Sequence, residues 1–307
     1  MEPGVTILMG VFQGAAHLQD QLDSFAGQSH GEWHLVASDD GSSDGGSALI
    51  QGFAATRAPG RVRLVRGPGQ GLAANYLSML RDLPAEPGWV ALSDQDDVWL
   101  PDRLARGIAV LQAEAGPALY CSRSFITSDR LEGRCLSPPR PHPPSFRNAL
   151  VQNIASGNTI LLNPAAAALV AASAHRIAGF VVHDWWVYLI VSGAGGRVVH
   201  DDAPTILYRQ HAANSIGSND GAGARLRRLG MVIAGTFRDW NDVNAAALQA
   251  CVDLLSPEGR KVFAAWQAMR GTPGLMSRLS RLRALRLYRQ TRASTLALWF
   301  AAVIGRL

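Results

Sequence analysis

Three carboxylates, Asp94, Asp96 and Asp97, stand within four residues just after the short apolar run 89–92. A run of that length reads as a buried strand, so the three side chains leave a single strand tip together. Carboxylates so close repel and raise one another's pKa, and a divalent cation is the group that keeps them ionised. All-oxygen ligation favours Mg2+ or Mn2+ over zinc, and Mg2+ commonly bridges one or two carboxylates and substrate phosphates. The same residues also suit an Asp-rich turn that caps a helix beginning near Pro101. What else the chain brings to this tip decides between the two.

The elements that must position the cluster can be read in order. Residues 5–11 form an apolar strand, and Phe12-Gln13-Gly14 turns the chain into a helix over 17–26, with Leu18, Leu22 and Phe25 on one face. A second strand, 33–38, ends in Asp39-Asp40-Gly41-Ser42-Ser43-Asp44-Gly45 and gives way to a helix over 47–56. A third strand over 61–65 is followed by Gly67-Pro68-Gly69-Gln70-Gly71 and a helix over 72–83. The strand at 89–92 is the fourth. Alternation of this kind gives an α/β fold with a mostly parallel, Rossmann-like sheet flanked by helices, whose ligands gather beyond the carboxyl ends of the strands. Phe12, Asp39, Asp40, Gly71 and the Asp94–Asp97 cluster then share one rim. An aromatic ring to stack a base, a carboxylate to accept its N–H and close-approaching backbone suit a nucleotide there. Asn75 and Gln95 join that group of nucleotide-binding candidates.

Composition bounds the rest. With 307 residues, 48% hydrophobic and 17% charged, the chain is expected to form one large domain, 1–220, with an appendage, 221–307. Three scattered cysteines, Cys121, Cys135 and Cys251, lack metal spacing and argue for a reducing cytoplasm. The opening Met1-Glu2-Pro3-Gly4 has no basic region before the first strand, so no secretory signal is expected. The uncharged stretch 148–175 is interrupted by Asn153, Gly157, Asn158, Asn163 and Pro164, which disfavours a spanning helix. Charge is lopsided: residues 1–224 hold 15 Lys+Arg against 20 Asp+Glu, and 225–307 hold 14 against 4. There Arg278, Arg281, Arg283, Arg286, Arg289 and Arg292 interleave with Leu275, Leu279, Leu282 and Leu285. This reads as a helix lying on an anionic membrane surface, at the inner face of the cytoplasmic membrane. A helix packed on the domain, or nonspecific nucleic-acid binding, is the alternative; no nucleic-acid partner is expected.

Several motifs carry a resemblance. Val11-Phe12-Gln13-Gly14, Leu18-Gln19-Asp20-Gln21-Leu22-Asp23-Ser24, the Ser38–Gly45 turn and Ser93-Asp94-Gln95-Asp96-Asp97-Val98-Trp99 resemble glycosyltransferase family 2, especially its bacterial rhamnosyltransferase-like branch. His183-Asp184-Trp185-Trp186 and Tyr208-Arg209-Gln210-His211-Ala212-Ala213-Asn214 continue the likeness, which spans roughly residues 4–217. It implies a GT-A fold, a nucleotide-sugar donor (a dTDP- or UDP-sugar, with rhamnose leading), Mg2+ or Mn2+, and transfer with inversion at the anomeric carbon. It also implies roles: Phe12 against the base, Asp40 with Asp39 near it on a pyrimidine, Asp96 and Asp94 as metal ligands, and Asp184 as catalytic base. Two departures stand out. The family's usual Tyr-Asn-Gly turn is Phe12-Gln13-Gly14, which keeps the ring and loses its hydroxyl, and the acidic residue often preceded by Glu follows His183.

Chemistry asks for Asp184 separately. An acceptor hydroxyl is a poor nucleophile at neutral pH, and a carboxylate within reach takes its proton as attack proceeds. In many relatives a histidine after the acceptor half binds the metal or the diphosphate, which points to His211. Of the adjacent Trp185 and Trp186, a helix would turn one to the cleft for sugar stacking and the other to the core; Trp185 is the expected acceptor contact. Asn158, in the small-residue loop that underlies a sugar in relatives, is the second acceptor-binding candidate. A lipid-linked saccharide of a cell-surface polysaccharide is the expected acceptor, since the basic appendage would hold the cleft at the membrane. Gly67-x-Gly69-x-Gly71 superficially suggests a dinucleotide fold and an oxidoreductase, but Leu72 stands where that pattern needs its spacing to continue. A catalytically degenerate glycan-binding protein is the non-enzymatic alternative, disfavoured by the presence of both Asp96 and Asp184.

Overall fold

A computed structural model of the chain describes residues 2–211 and 236–307. Its first hundred residues alternate strands β1 Val5–Val11, β2 Trp33–Asp39, β3 Val62–Arg66 and β4 Trp89–Ser93 with helices α1 Ala15–Ala26, α2 Gly46–Ala55 and α3 Leu72–Arg81. These match the sequence expectation to within two residues at nearly every boundary. Helix α1 starts two residues earlier than expected because the Asp44 carboxylate accepts the Ala15 N–H at 2.8 Å, satisfying one of the orphan amides of the first turn.

Among the described residues nine strands form one sheet, ordered β3-β2-β1-β4-β8-β6-β9-β5, with the short β7 (Cys135–Leu136) on the edge of β6. The first four neighbours are parallel. The two-residue strand β8 (Leu161–Leu162) reverses direction between β4 and β6 (Ala118–Thr127). Beyond it, β6 runs parallel to the long β9 (Arg197–Arg209), with register shifts around Arg123 that bend the pair. Strand β5 (Val98–Trp99) follows the acidic tip directly and pairs antiparallel with Ile206 and Leu207 of β9. That pairing carries the end of β9, and with it Arg209 and His211, over the Asp94–Asp97 segment.

Helix α4 (Arg103–Leu111) covers one face of the sheet with α1 and α2, while α3, α6 (Pro164–Ala174) and α7 (His183–Gly193) cover the other; a short α5 (Phe146–Ala149) precedes them. Asn163 caps α6 by accepting the Ala166 N–H, with Pro164 in the first turn where its missing N–H costs nothing. Helix α7 is apolar on nearly all sides and is buried on nearly all sides, from Trp185 through Val191.

Its outer cover comes from helices α8 (Thr236–Ala250), α9 (Pro257–Arg270), α10 (Leu275–Leu285) and α11 (Arg292–Val303). Leu248, Phe263, Trp266, Leu282 and Leu298 belong to the same hydrophobic cluster as Trp186 and Tyr188. The Arg-rich helix differs from its sequence expectation along part of its length: Leu282 and Leu285 of α10 are buried against the protein and Leu279 is half-buried, while Leu275 at the helix start stays exposed. The expected boundary at residues 220/221 lies outside the described residues, as do Ala212, Ala213 and Asn214. No described helix is long and apolar enough to cross a membrane.

Candidate active site

The rim at the carboxyl ends of β1, β2 and β4 is built from side chains that hold one another. Phe12, at the tip of β1, is 57% exposed. Its backbone N–H donates to Gln95 Oε1 at 2.8 Å, and its carbonyl accepts from Gln95 Nε2 at 2.9 Å. Gln95, an expected nucleotide contact, is thus a clamp that holds the exposed ring in place.

Asp39 and Asp40 also face inward. Asp39 accepts the Ser42 N–H at 2.9 Å and the Ser47 hydroxyl; burial opposes its charge, but these bonds win and hold the carboxyl below its usual range. Asp40 accepts the N–H groups of Gly69 and Gly71, each at 2.7 Å. Both glycines have positive φ, 69° and 89°, which lets the loop after β3 point two successive alternate amides at one carboxylate. The glycine-rich loop is thereby tied to Asp40, which removes the basis for reading it as a dinucleotide fingerprint. Asn75 is a correction to the sequence reading. It is buried, accepts from the Ser38 hydroxyl at 2.5 Å and donates to the Ser38 carbonyl at 2.9 Å, so it fastens α3 to β2.

The β4 tip is different in kind. Asp97 is fully buried and accepts from Asn158 Nδ2 at 2.5 Å and from the Arg209 N–H at 3.0 Å. Burial and the neighbouring Asp96 push its carboxyl up, and the bonds from Asn158 and Arg209 oppose them. Asp94 is pushed well above the usual carboxylate range by burial first, then by Asp97, Asp96 and Asp184. Among the described residues no protein hydrogen bond reaches its carboxylate. Asp96 meets His211 Nε2 at 2.9 Å. The expected trio of Asp94, Asp96 and His211 does not close into a cage: among the described residues no three His, Cys, Asp or Glu side chains are arranged to hold a metal. Hard oxygens with an unbonded carboxylate nonetheless fit Mg2+ or Mn2+, which keep several waters and share substrate phosphates.

Asp184 opens α7, where its carboxylate accepts its neighbour Trp185 N–H at 2.7 Å and the Gly157 N–H at 3.2 Å. Burial lifts it to about 6, against the bonds from Trp185, the Asn153 side chain and Gly157. Gly157 and Asn158 are adjacent in one short 3-10 turn, so a single turn grips Asp184 with one residue and Asp97 with the next. Tyr76 forms a second bridge: its hydroxyl donates to the Ser93 carbonyl at 2.6 Å, and its ring stacks on His183 at 3.6 Å. A Cβ at residue 157 would fall 2.5 Å from His183 Nε2, so only glycine permits this approach. The β4 tip and the start of α7, ninety residues apart in sequence, are therefore brought together, close enough for Asp184 to act on the Asp94 carboxylate.

Two acceptor expectations are corrected. Trp185 is buried, donates its indole N–H to the Ala149 carbonyl at 2.7 Å and meets Trp240 edge-on, so both tryptophans of the pair serve the core. Asn158 is buried and committed to Asp97 and the Ser156 hydroxyl. The sequence assigned no site role to Gly157, Tyr76, Arg209 or Arg103, although Gly157 and Arg209 stand in stretches it singled out. Arg209 donates to the Asp96 carbonyl at 2.9 Å, to Asp20 of α1 at 2.6 Å and to the Asp129 carbonyl. Arg103, lowered to about 9 by burial, lies 3.4 Å over the Trp99 ring and donates to the carbonyls of Leu92, Asn158 and Ile160. Neither arginine has a spacing signal, because each joins segments distant in sequence.

A sequence model described as glycosyl transferase family 2 matches residues 6–164, more than half of the chain. The chain belongs to that family. Among relatives, this glycosyltransferase is 22% identical over 231 residues to the dTDP-rhamnosyl transferase RfbG of Shigella flexneri, covering 73% of this chain and 78% of that one. It is 29% identical over 111 residues to the putative glycosyltransferase EpsE of Bacillus subtilis (strain 168), covering 36% and 39%. Two solved structures share the fold. S. aureus TarS 1-349 in complex with UDP-GlcNAc aligns with a TM-score of 0.56 at 12% identity, over 92% of this chain and 90% of that one. The mannosyltransferase PcManGT from Pyrobaculum calidifontis, in complex with GDP-Man and Mn2+, aligns at 0.50 and 19% identity, over 100% and 86%. The family 2 enzyme thus has the GT-A architecture expected from its motifs, with a helical region following it.

Proposed function

We propose that this glycosyltransferase moves a sugar from a nucleoside diphosphate donor to a saccharide hydroxyl with inversion, Asp184 acting as general base. The observation that carries the reading is the Gly157–Asn158 turn, which holds Asp184 and Asp97 together so that the proposed base lies beside the acidic tip. In the reaction the acceptor hydroxyl donates a hydrogen bond to Asp184 and gives up its proton as its oxygen attacks the anomeric carbon. The bond from that carbon to the diphosphate oxygen breaks, and the nucleoside diphosphate leaves with the electron pair. A single displacement needs one base, and its single inversion follows from attack on the face opposite the leaving group.

Asp94 and Asp96, with His211 beside them, are the residues that would hold Mg2+ or Mn2+. Such an ion supplies positive charge to a leaving diphosphate. Phe12 offers its exposed face to the base, and Asp39 and Asp40 shape the loops around it, each oxygen keeping a second lone pair for a base N–H. Residues 1–220 would be the catalytic domain and 221–307 a helical extension. Likeness to RfbG supports a dTDP-sugar, with dTDP-rhamnose first and UDP-sugars next. The acceptor is a lipid-linked saccharide of a cell-surface polysaccharide, used at the inner face of the cytoplasmic membrane. The test is a panel of dTDP-, UDP- and GDP-sugars with Mn2+, scored for thermal stabilisation and then for transfer to extracted lipid-linked saccharides. Stabilisation and transfer with dTDP-rhamnose are expected; stabilisation by none of the panel would overturn the reading.

A further inference from the structure

The helices after residue 236 bury one set of apolar residues and leave another outside. On α11 the inward side chains are Leu298, Ala301 and Ala302. The opposite face carries Leu296 (69% exposed), Phe300 (44%) and Val303 (44%), and Ile304 continues it past the helix end. Their spacing, i, i+4, i+7 and i+8, keeps them in one stripe along the helix, with the half-buried Trp299 at its edge and Arg292 one turn before Leu296 on the same face. Met276, 78% exposed, adds a further apolar side chain at the start of the adjoining α10.

Charge says what this face would meet. From residue 275 onward there are seven arginines and no acidic residue. Arg281, Arg283, Arg286, Arg292 and Arg306 are exposed around the two helices, whereas Arg278 is turned inward onto the Ala302 carbonyl at 2.8 Å. An apolar stripe with aromatic residues, framed by guanidinium groups and free of carboxylates, matches the boundary between anionic headgroups and acyl chains. An acidic protein partner would leave the stripe's four large apolar side chains to be matched separately; an anionic lipid surface satisfies both parts at once.

We infer that the outward face of α11, through Leu296, Phe300, Val303 and Ile304, is the surface on which this enzyme docks onto anionic lipid. This deepens the membrane reading above and rests on it for the acceptor's location. It moves the contact from Leu279, Leu282 and Leu285 of α10, which are half or wholly buried, to the exposed stripe of α11. The chain that leads into the docking helix is also bonded to the body of the enzyme. The segment joining α10 to α11 is bonded to the chain leading to Asp184's partners: Gln290 N–H donates to Gln152 at 2.8 Å, and the Gln290 amide pairs with the backbone of His142. Tyr288 shares a hydroxyl hydrogen bond with Ser145 at 2.6 Å.

Flotation of the full chain with phosphatidylcholine vesicles, with and without phosphatidylglycerol, tests the inference. The enzyme is expected to float with the anionic vesicles, more weakly at high salt, and the Leu296→Glu/Phe300→Glu variant to bind at least ~10-fold more weakly with an unchanged melting temperature. Should that variant not fold, Arg281→Glu/Arg283→Glu/Arg292→Glu keeps the apolar stripe and is expected to lose the preference for phosphatidylglycerol. Absence of wild-type binding, equal binding by folded variants, or an apolar face found to pair two copies of the chain in solution would each overturn it. Flotation is read without sugar transfer, so an inactive protein that floats and an active one that stays behind separate this inference from the proposed reaction.

Discussion

Two acidic strand ends flank β1 in this sheet, and they are built differently. At the end of β2, Asp39 and Asp40 are supplied with backbone N–H and hydroxyl donors, and Asp39 is correspondingly held below its usual pKa. At the end of β4, Asp97 also has two donors but is fully buried beside Asp96, and the half-buried Asp94 has none among the described residues; both are pushed up. A carboxylate met by amides organises loops. Carboxylates gathered with too few donors hold unfavourable charge that a cation and a donor's diphosphate can use.

The largest expected effect comes from Asp96→Ala, which should abolish Mn2+-dependent binding of a nucleoside diphosphate in calorimetric titration; wild-type titration by the variant would remove Asp96 as a ligand. Asp97→Ala should act instead on the fold. It strands the Arg209 N–H and the Asn158 amide in the interior, for a loss of about 3 kcal/mol in denaturant unfolding. Asp40→Ala, whose donors lie in a loop nearer solvent, should cost about 1 kcal/mol. Equal losses at Asp97 and Asp40 would erase the contrast between the two ends.

The pH profile sharpens it. As the proposed base Asp184 must be ionised to accept a proton, and burial places its carboxyl at about 6. Accordingly kcat/KM should be flat above that value and fall about tenfold per pH unit below it, which a rate profile at saturating metal would show. The smallest effect is expected at Phe12→Ala, which removes one stacking face and should weaken nucleotide binding by about 1 kcal/mol, roughly fivefold. An unchanged dissociation constant would mean that the base binds elsewhere.

Much of the first half of the fold was readable from apolar periodicity because each strand and helix there is a local pattern closed by a local turn. Phe12, Asp39, Asp40, Asp94 and Asp96 fell on one rim for the same reason. Asn75, Trp185 and Asn158 misled because residue type does not say whether a polar or aromatic side chain faces a cleft or satisfies a buried partner. Gly157, Arg103 and Arg209 could not be found from spacing, since each matters through a partner dozens of residues away. The leucines of α10 gave an amphipathic pattern that fits protein and lipid equally; only the packing of α10 and α11 on the body decides which helix keeps its apolar face outside.

In the proposed reaction Asp184 serves proton removal while the β4 tip serves the donor. Single-turnover transfer by Asp184→Asn, with Mn2+ and a donor bound at saturation, separates the two roles. Donor affinity like the wild type with transfer slowed about 10²- to 10⁴-fold is the predicted result. Transfer at a rate close to that of the wild type would contradict it.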